Sequence, residues 1–489
     1  MPEQWTSGGR ELHLDLDPAL GRRTALESAL REAIRSGRLS CGTQLPSSRT
    51  LAADLGLARG TVVHAYQQLL AEGYLESSSR TSTRVAALPH VAPNEPAPGS
   101  ESPGVHHNLR SGRPDSSAFP RTQWASALRH AIGTVPDSDL DYGDPRGHPA
   151  LRRALAGYLA RVRGVRTSEQ QLIVCSGFGQ GLALICDVLR ARGASTVAVE
   201  HCGLPQHVDL VAGTGLRPKP VPVDGDGLRI DCLGTADAVI VTPSHQFPSG
   251  MTLHPSRRTA LVEWARRRDA LVVEDDYDGE FRYDRQPIGA VQGLDPEHVV
   301  YAGTTSKSLA PAVRLAWFAV PRWLVGPITS SRALVERHPP TFDQIAFARL
   351  VDTGGLDRHL RRMRARYRQR RDLLLTALRT EVPEVRPVGV AAGLHLTLLL
   401  SADGPSELEV QRTLATQGVA VDALSFFARQ PLAERGLVVG YAAPAGHAYQ
   451  AAVRALVTGL REAFDGRGGS PAQPVASNPR DGIGYSGVT

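Results

Sequence analysis

Between residues 108 and 466 the chain repeats one pattern. A short apolar, β-branched run ends in polar or glycine-rich residues, and an amphipathic stretch of helical period follows. QQLIVCSG, STVAVE, AVIVTPS, ALVVEDD and HVVYAGT are five such runs, and GLALICDVLRAR and PSRRTALVEWARRR are two of the stretches between them. Runs this continuously apolar must be covered on both faces, so the alternation predicts a mostly parallel α/β sheet flanked by helices. Ligands of such sheets bind outside the carboxyl ends of the strands. The residues that close each run are therefore where chemistry should be sought.

The rest of the chain divides around this block. Residues 10–86 carry short helical patterns with a tight connection. Residues 87–107, ALPHVAPNEPAPGSESPGVHH, are rich in Pro, Gly and Ser and predict an extended tether. From about residue 350 to 466 an Arg-rich helix, DRHLRRMRARYRQRRDLLLTAL, leads into a smaller α+β unit containing HLTLLLS and LVVGYAA. The Arg run reads as a solvated helix face rather than a nucleic-acid site. Residues 467–489 have the composition of a disordered tail. No run is long and apolar enough to cross a membrane, and MPEQWTSGGRELHL lacks the apolar core of a signal peptide, which predicts a cytoplasmic protein. The five cysteines are scattered without C-x-x-C spacing, so core thiols are expected rather than a metal site or disulfides.

The segment LPSSRTLAADLGLARGTVVHAYQQLLAEGYLE predicts a helix-turn-helix. Residues 24–35 place Leu26, Leu30, Ala33 and Ile34 on one helical face. Ser47 or Ser48 can cap a second helix running to Leu55, and Gly56 permits the turn. Ala58 or Arg59 starts a third helix with Val62, Ala65, Tyr66, Leu69 and Leu70 inward. That geometry offers Arg59, Gly60, Thr61 and His64 to a DNA major groove and Arg49 to a phosphate. YLESSSRTSTRVA would form a two-stranded wing with Arg80 and Arg84 beside the backbone. Net charge is +6, but residues 1–86 hold ten Arg against nine acidic residues, so DNA contact must rest on placement of arginines rather than bulk charge. A helical hairpin used for dimerisation is the competing reading of the pattern.

Of the 55 basic residues only two are lysine, Lys219 and Lys307. Arg replaces Lys wherever a charge suffices, but not where a neutral amine must react. Lys219 lies in the loop-like RPKPVP and reads as incidental. Lys307 lies in YAGTTSKSLAPAVRLAW, where it can form an imine with an aldehyde while Thr304, Ser306 and Arg314 bind a phosphate. In EDDYDGEFRY, Asp275 can pair with a protonated pyridine nitrogen and Tyr277 with the ring hydroxyl, although a solvated acidic loop would look the same. In CSGFGQGLAL, Phe178 and Gly179 can offer backbone N–H groups to a phosphate at a helix start. Together these needs match pyridoxal 5′-phosphate (PLP).

The N-terminal segment resembles the winged helix-turn-helix of GntR-family regulators. "YGDPRGHPALRRALAGYLARVRGV", "VTPSHQFPSG", "EDDYDGEFRY", "GTTSKSLAPAVRL" and "AAGLHL" resemble a fold-type I PLP-dependent transferase, and the combination resembles the MocR/GabR group. The resemblance implies a winged helix joined to a fold-type I domain with a mostly parallel central sheet and a small C-terminal α+β subdomain. It implies a PLP-dependent regulator of transcription that binds double-stranded operator DNA and senses PLP or a small amine or amino acid. It also implies a homodimer, head-to-tail, in which Tyr142 reaches the neighbour's cofactor phosphate. The wing lacks the family's glycines. Three further departures concern catalysis: Phe247 stands where aminotransferases carry an Asn at the ring hydroxyl, Leu204 replaces an aromatic and Cys202 a Pro before the ring, and Val438 lies near the place of the arginine that grips an α-carboxylate. These departures predict little or no transamination; an active aminotransferase with an added N-terminal module is the alternative, and a DNA binder that has lost its cofactor a further one.

Overall fold

The computed structural model describes residues 3–7, 10–14, 16–78, 82–87, 104–284 and 288–466. The chain divides into two compact units, Met1–Glu101 and Ser102–Thr489. Most of the expected tether (88–103), the expected tail (467–489) and Arg80 lie outside the described residues.

The first unit opens with an antiparallel hairpin, β1 (Glu3–Ser7) and β2 (Arg10–Leu14), so ordered backbone begins before the anticipated start at residue 10. Helix α1 (Arg22–Arg35) buries Leu26, Leu30, Ala33 and Ile34, the expected face. Ser47 caps α2 (Ser48–Asp54), its hydroxyl accepting from the Thr50 N–H at 3.1 Å. Leu55 closes α2, and Gly56 turns the chain at φ +60°, a left-handed conformation that glycine adopts without strain. Helix α3 (Arg59–Ala71) follows, with Val62, Ala65, Tyr66 and Leu69 buried, while Leu70 is only half-buried. The Tyr66 hydroxyl donates to the Pro46 carbonyl at 3.0 Å, tying α3 to the start of α2. Leu26, Leu30, Leu51, Val62 and Leu69 meet in one core, and each such buried side chain contributes about 1.5–3 kcal/mol. Strands β3 (Leu75–Ser78) and β4 (Ser82–Val85) pair antiparallel as the wing.

The second unit runs β5 (His107–Asn108), α4 (Arg121–Thr134), α5 (Pro149–Arg163), β6 (Leu172–Cys175), α6 (Phe178–Ala191), β7 (Thr196–Glu200), α7 (Pro205–Gly213) and β8 (Arg217–Val221). A small hairpin of β9 (Val223–Asp224) and β10 (Gly227–Leu228) precedes β11 (Ala238–Val241), α8 (Pro255–Arg268), β12 (Leu271–Asp275), β13 (Val299–Thr304), α9 (Thr305–Ser308) and β14 (Ala316–Ala319). Seven strands form one sheet in the order β6-β14-β13-β12-β11-β7-β8. Only β14 runs antiparallel to its neighbours. The apolar runs are buried along their length in β6, β11, β12 and β13, as a sheet covered on both faces requires.

Helices α10 (Arg322–Val335), α11 (Thr341–Asp352) and α12 (Gly355–Glu381) lead to a second, antiparallel sheet. It is built from β15 (Arg386–Val388), β16 (His395–Leu399), β18 (Asp422–Ala423) and β19 (Gly436–Gly440), in the order β15-β16-β19-β18. Helix α13 (Glu407–Thr416) and α14 (Tyr449–Asp465) pack together beside it, and β17 (Val419–Ala420) pairs in parallel with β5. The five cysteines are free thiols. Lys219, on β8, donates to the Leu233 carbonyl at 3.0 Å, a structural contact. None of the helices among the described residues is long and apolar enough to span a membrane.

Candidate cofactor site and nucleic-acid interface

The carboxyl ends of β6, β12 and β13 deliver the three motifs to one edge of the large sheet. At the end of β12 and just beyond it four acidic residues fall within five positions, all at most 4% exposed, so the segment is not a solvated acidic turn. Each has its own surroundings. Glu274 accepts from the N–H groups of Val291 and Gln292, both at 3.0 Å. Asp276 takes a two-pronged contact from Arg163, at 2.7 and 2.9 Å, and the Tyr301 hydroxyl at 2.8 Å. Asp278 lies 2.9 Å from His245 Nδ1. Asp275 differs: its side chain has no hydrogen-bond donor among the described residues, and the His207 Nε2 atom stands off at 3.9 Å. Burial pushes the Asp275 carboxyl well above the usual range, and the like charge of Asp276 adds to the shift.

At the end of β13 the Thr304 hydroxyl accepts the Ser306 N–H at 3.1 Å and lies 3.0 Å from the Ser306 hydroxyl. Lys307 sits on the short turn of α9, and its Nζ donates to the Gly112 carbonyl at 2.6 Å. Burial lowers the Lys307 pKa, with Asp275 and Asp278 opposing the shift. Beyond β6, Gly177 adopts φ +146°, and a Cβ built there would meet Arg314 Nη2 at 3.0 Å. The Arg314 guanidinium therefore packs on the residue that opens α6, whose first residues are Phe178 and Gly179. The N-cap of α6 has no side-chain hydrogen bond. The Phe178 ring lies 4.7 Å from the His207 ring and 5.7 Å from Phe318.

Tyr277 is buried, and its hydroxyl donates to the His245 carbonyl at 3.1 Å and lies 3.1 Å from His245 Nδ1. Tyr142 stands apart from these residues. Its ring is 73% exposed, with the Arg337 guanidinium 4.5 Å from its centroid and His338 edge-on at 6.3 Å.

Several site residues had no signal in spacing alone. His207 neighbours Asp275, and burial pushes its pKa down to about 4, so it is neutral at pH 7. His245, Asp278 and His395 form a buried group whose ligand-type atoms lie within 4.8 Å of one another. His395 Nε2 donates to the Pro248 carbonyl at 3.1 Å, and burial holds its pKa well below the usual histidine value. Gly112 contributes only a carbonyl. The shared signal of His245, Asp278 and His395 was the short motifs PSHQFPSG, EDDYDGEF and AAGLHL, which the fold brings together from three places; His207 and Gly112 lie outside them.

The three departures converge as well. Cys202, Phe247 and Val438 belong to one buried apolar cluster with Tyr277, Leu399, Leu424 and Phe427, and Leu204 packs against it. Phe247 makes edge-on contacts with Tyr277 at 6.1 Å and His395 at 5.1 Å. Val438 pairs with Thr397 across β19 and β16 and is fully buried.

In the first unit Arg49, Arg59, Gly60 and His64 are exposed and Thr61 is half-buried, at or near the amino ends of α2 and α3. Added bulk at Gly60 would meet nothing within 4 Å. Arg84 is turned toward the body of the unit. Its Nη1 is 3.5 Å from the Gly42 carbonyl, and its Nε is buried without a partner among the described residues.

A winged helix followed by a mostly parallel aminotransferase-type sheet defines the class: a helix-turn-helix transcription regulator carrying an aminotransferase-like domain. Residues 108–436 match the family of class I and II aminotransferases, and residues 23–85 match the bacterial regulatory proteins of the gntR family. The chain is 32% identical over 498 residues to the probable rhizopine catabolism regulatory protein MocR of Rhizobium meliloti, covering 96% of this chain and 99% of that one. It is 33% identical over 423 residues to the HTH-type pyridoxine biosynthesis transcriptional regulator PdxR of Corynebacterium glutamicum, covering 86% and 91%. Among solved structures, a Pyrococcus horikoshii kynurenine aminotransferase in complex with PMP superposes with a TM-score of 0.66 at 25% identity, over 74% of this chain and 92% of that one. The chain belongs to the MocR-type group of gntR-family transcription regulators.

Proposed function

We propose that the large unit binds PLP at Lys307 and that this cofactor, alone or with a small amine or amino acid, sets how the winged helix engages operator DNA. The single observation that carries the reading is Asp275, a buried carboxylate with no hydrogen-bond donor among the described residues, on the sheet edge that also presents Lys307. The remaining residues fit the same group. Gly177 leaves room beside Arg314 for a phosphate, with the N–H groups of Phe178 and Gly179 and the hydroxyls of Thr304 and Ser306 as further donors. Tyr277 stands ready for the ring hydroxyl. PLP supplies an aldehyde that bonds covalently to an amine and a ring that withdraws electrons. Burial favours the neutral, nucleophilic form of the Lys307 amine. Asp275 would hold a proton on the ring nitrogen, and the neutral His207 beside it would not compete for that charge.

Transamination needs Cα–H held over the ring, and a charge-assisted carboxylate clamp is worth about 1.5–3 kcal/mol. The apolar cluster around Val438 and Phe247 provides no such clamp, so turnover is weak or absent. The name of one relative, a regulator of pyridoxine biosynthesis, supports PLP itself as a candidate signal. The exposed Tyr142 supports a head-to-tail homodimer in which it serves the neighbour's cofactor phosphate. Arg49, Arg59, Gly60, Thr61 and His64 form the DNA-reading face. The wing contributes less, because Arg84 is engaged within its own unit. The test is a footprint on the DNA upstream of the gene, with and without PLP and candidate amines, beside an assay of amino-acid turnover. A PLP-dependent footprint with negligible turnover supports the reading. Substantial turnover with common amino acids would favour the active aminotransferase instead.

A further inference from the structure

An open cavity of about 390 Å³ lies between the start of α4 and one face of α12. His359, Arg362, Met363 and Arg366 line it at the i, i+3, i+4, i+7 spacing of a single helix face. Arg121, Thr122 and Gln123, the first residues of α4, line the opposite wall, and the Arg121 N–H already donates to the Phe119 carbonyl at 2.8 Å. Three arginines, all exposed to solvent, thus line a groove of small-molecule size. Only Arg366 has an acidic partner among the described residues, Asp115 at 2.9 Å; Arg121 and Arg362 have none. Gln123 Oε1, in the same lining, is buried without a partner among the described residues.

The cavity is wired to the lysine loop from two sides. Its floor residue His359, 2% exposed, donates from Nε2 to the carbonyl of Ser308 at 3.0 Å, and Ser308 is the residue after Lys307. Arg366 shares with the buried Arg370 the hold on Asp115, three residues beyond Gly112, whose carbonyl takes the Lys307 amine.

We propose that this cavity is a regulatory anion site for a small molecule bearing a phosphate or other multivalent anionic group. A bound dianion would satisfy Arg121 and Arg362 and could receive the N–H groups of Thr122 and Gln123. It would compete with Asp115 for Arg366 and so shift the backbone that carries Gly112. A DNA phosphate is a poorer occupant, because the walls are concave and Phe119 and Met363 make part of them apolar.

The test uses the full chain saturated with PLP, so that the phosphate cup at Arg314 is filled, and inorganic pyrophosphate titrated calorimetrically at constant ionic strength. Expected is one saturable site per chain, weakened about tenfold or more in both Arg121→Gln and Arg362→Gln, as loss of a charge-assisted contact implies. Pyrophosphate should also change the rate at which PLP leaves the wild-type chain, and not that of the two variants. The variants should keep the wild-type circular dichroism, since neither arginine makes an ion pair among the described residues. Absence of saturable binding, or binding indifferent to both substitutions, overturns the proposal. So does a loss of operator affinity in the variants without pyrophosphate binding in the wild type, which would assign the face to DNA.

Discussion

Replacing Asp275 by Asn separates the cost of keeping a buried carboxylate from its use. The wild-type side chain is 4% exposed, and its pKa is raised by burial and by Asp276. A neutral amide of the same shape removes that penalty, so the cofactor-free variant should be at least as stable as the wild type. With PLP the sign reverses. The variant loses a charge-assisted bond to the ring nitrogen, worth about 1.5–3 kcal/mol, which weakens binding about 13- to 160-fold. At a PLP concentration 100 times the wild-type Kd, ligand stabilisation is about 2.7 kcal/mol, and in the variant it falls to about 0.3–1.3 kcal/mol. Urea unfolding of both proteins, with and without PLP, measures all four values. An unchanged PLP increment, or a large loss of stability in the cofactor-free variant, would refute the assignment of Asp275.

Arg59→Ala should weaken operator binding by about 1–3 kcal/mol, read by a gel shift at fixed salt, while the PLP absorption spectrum stays the same. Gly177→Ala forces a side chain into φ +146° and against Arg314. Strain of about 1–3 kcal/mol should lower the melting temperature and weaken PLP binding with DNA affinity intact. Burial pushes the Glu200 carboxyl up to about 7 from 4.5. Its contribution to stability is therefore full below about pH 4.5 and lost as pH rises through 7. Glu200→Gln should gain on the wild type by at most about 3 kcal/mol between pH 5 and 8.5, measured by denaturation at each pH. A gain that is flat with pH would contradict that origin.

The large sheet was legible because its strands are buried on both faces, which leaves a continuous apolar run in the text, and because a sheet of this kind gathers strand ends at one edge. The helix-turn-helix was legible because Ser47 and Gly56 mark their boundaries by local chemistry. What escaped depends on contacts between distant segments. His207 beside Asp275, His395 beside His245, and the Gly112 carbonyl on Lys307 leave no periodic trace. Leu70 was assigned inward from periodicity, yet it lies at the edge of the core and stays half-exposed. The turn of Arg84 toward Gly42 likewise follows from how the wing packs, not from its composition. The departures at Cys202, Leu204, Phe247 and Val438 were visible one at a time; that they pack as one apolar cluster required the fold.

The central claim is a covalent bond at one amine, and borohydride reduction of the PLP-treated chain followed by peptide mass spectrometry measures it directly. The account predicts a single phosphopyridoxyl adduct on the peptide carrying Lys307, absent from Lys307→Ala. An unmodified Lys307 under excess PLP, or an adduct confined to Lys219 or the amino terminus, would contradict it.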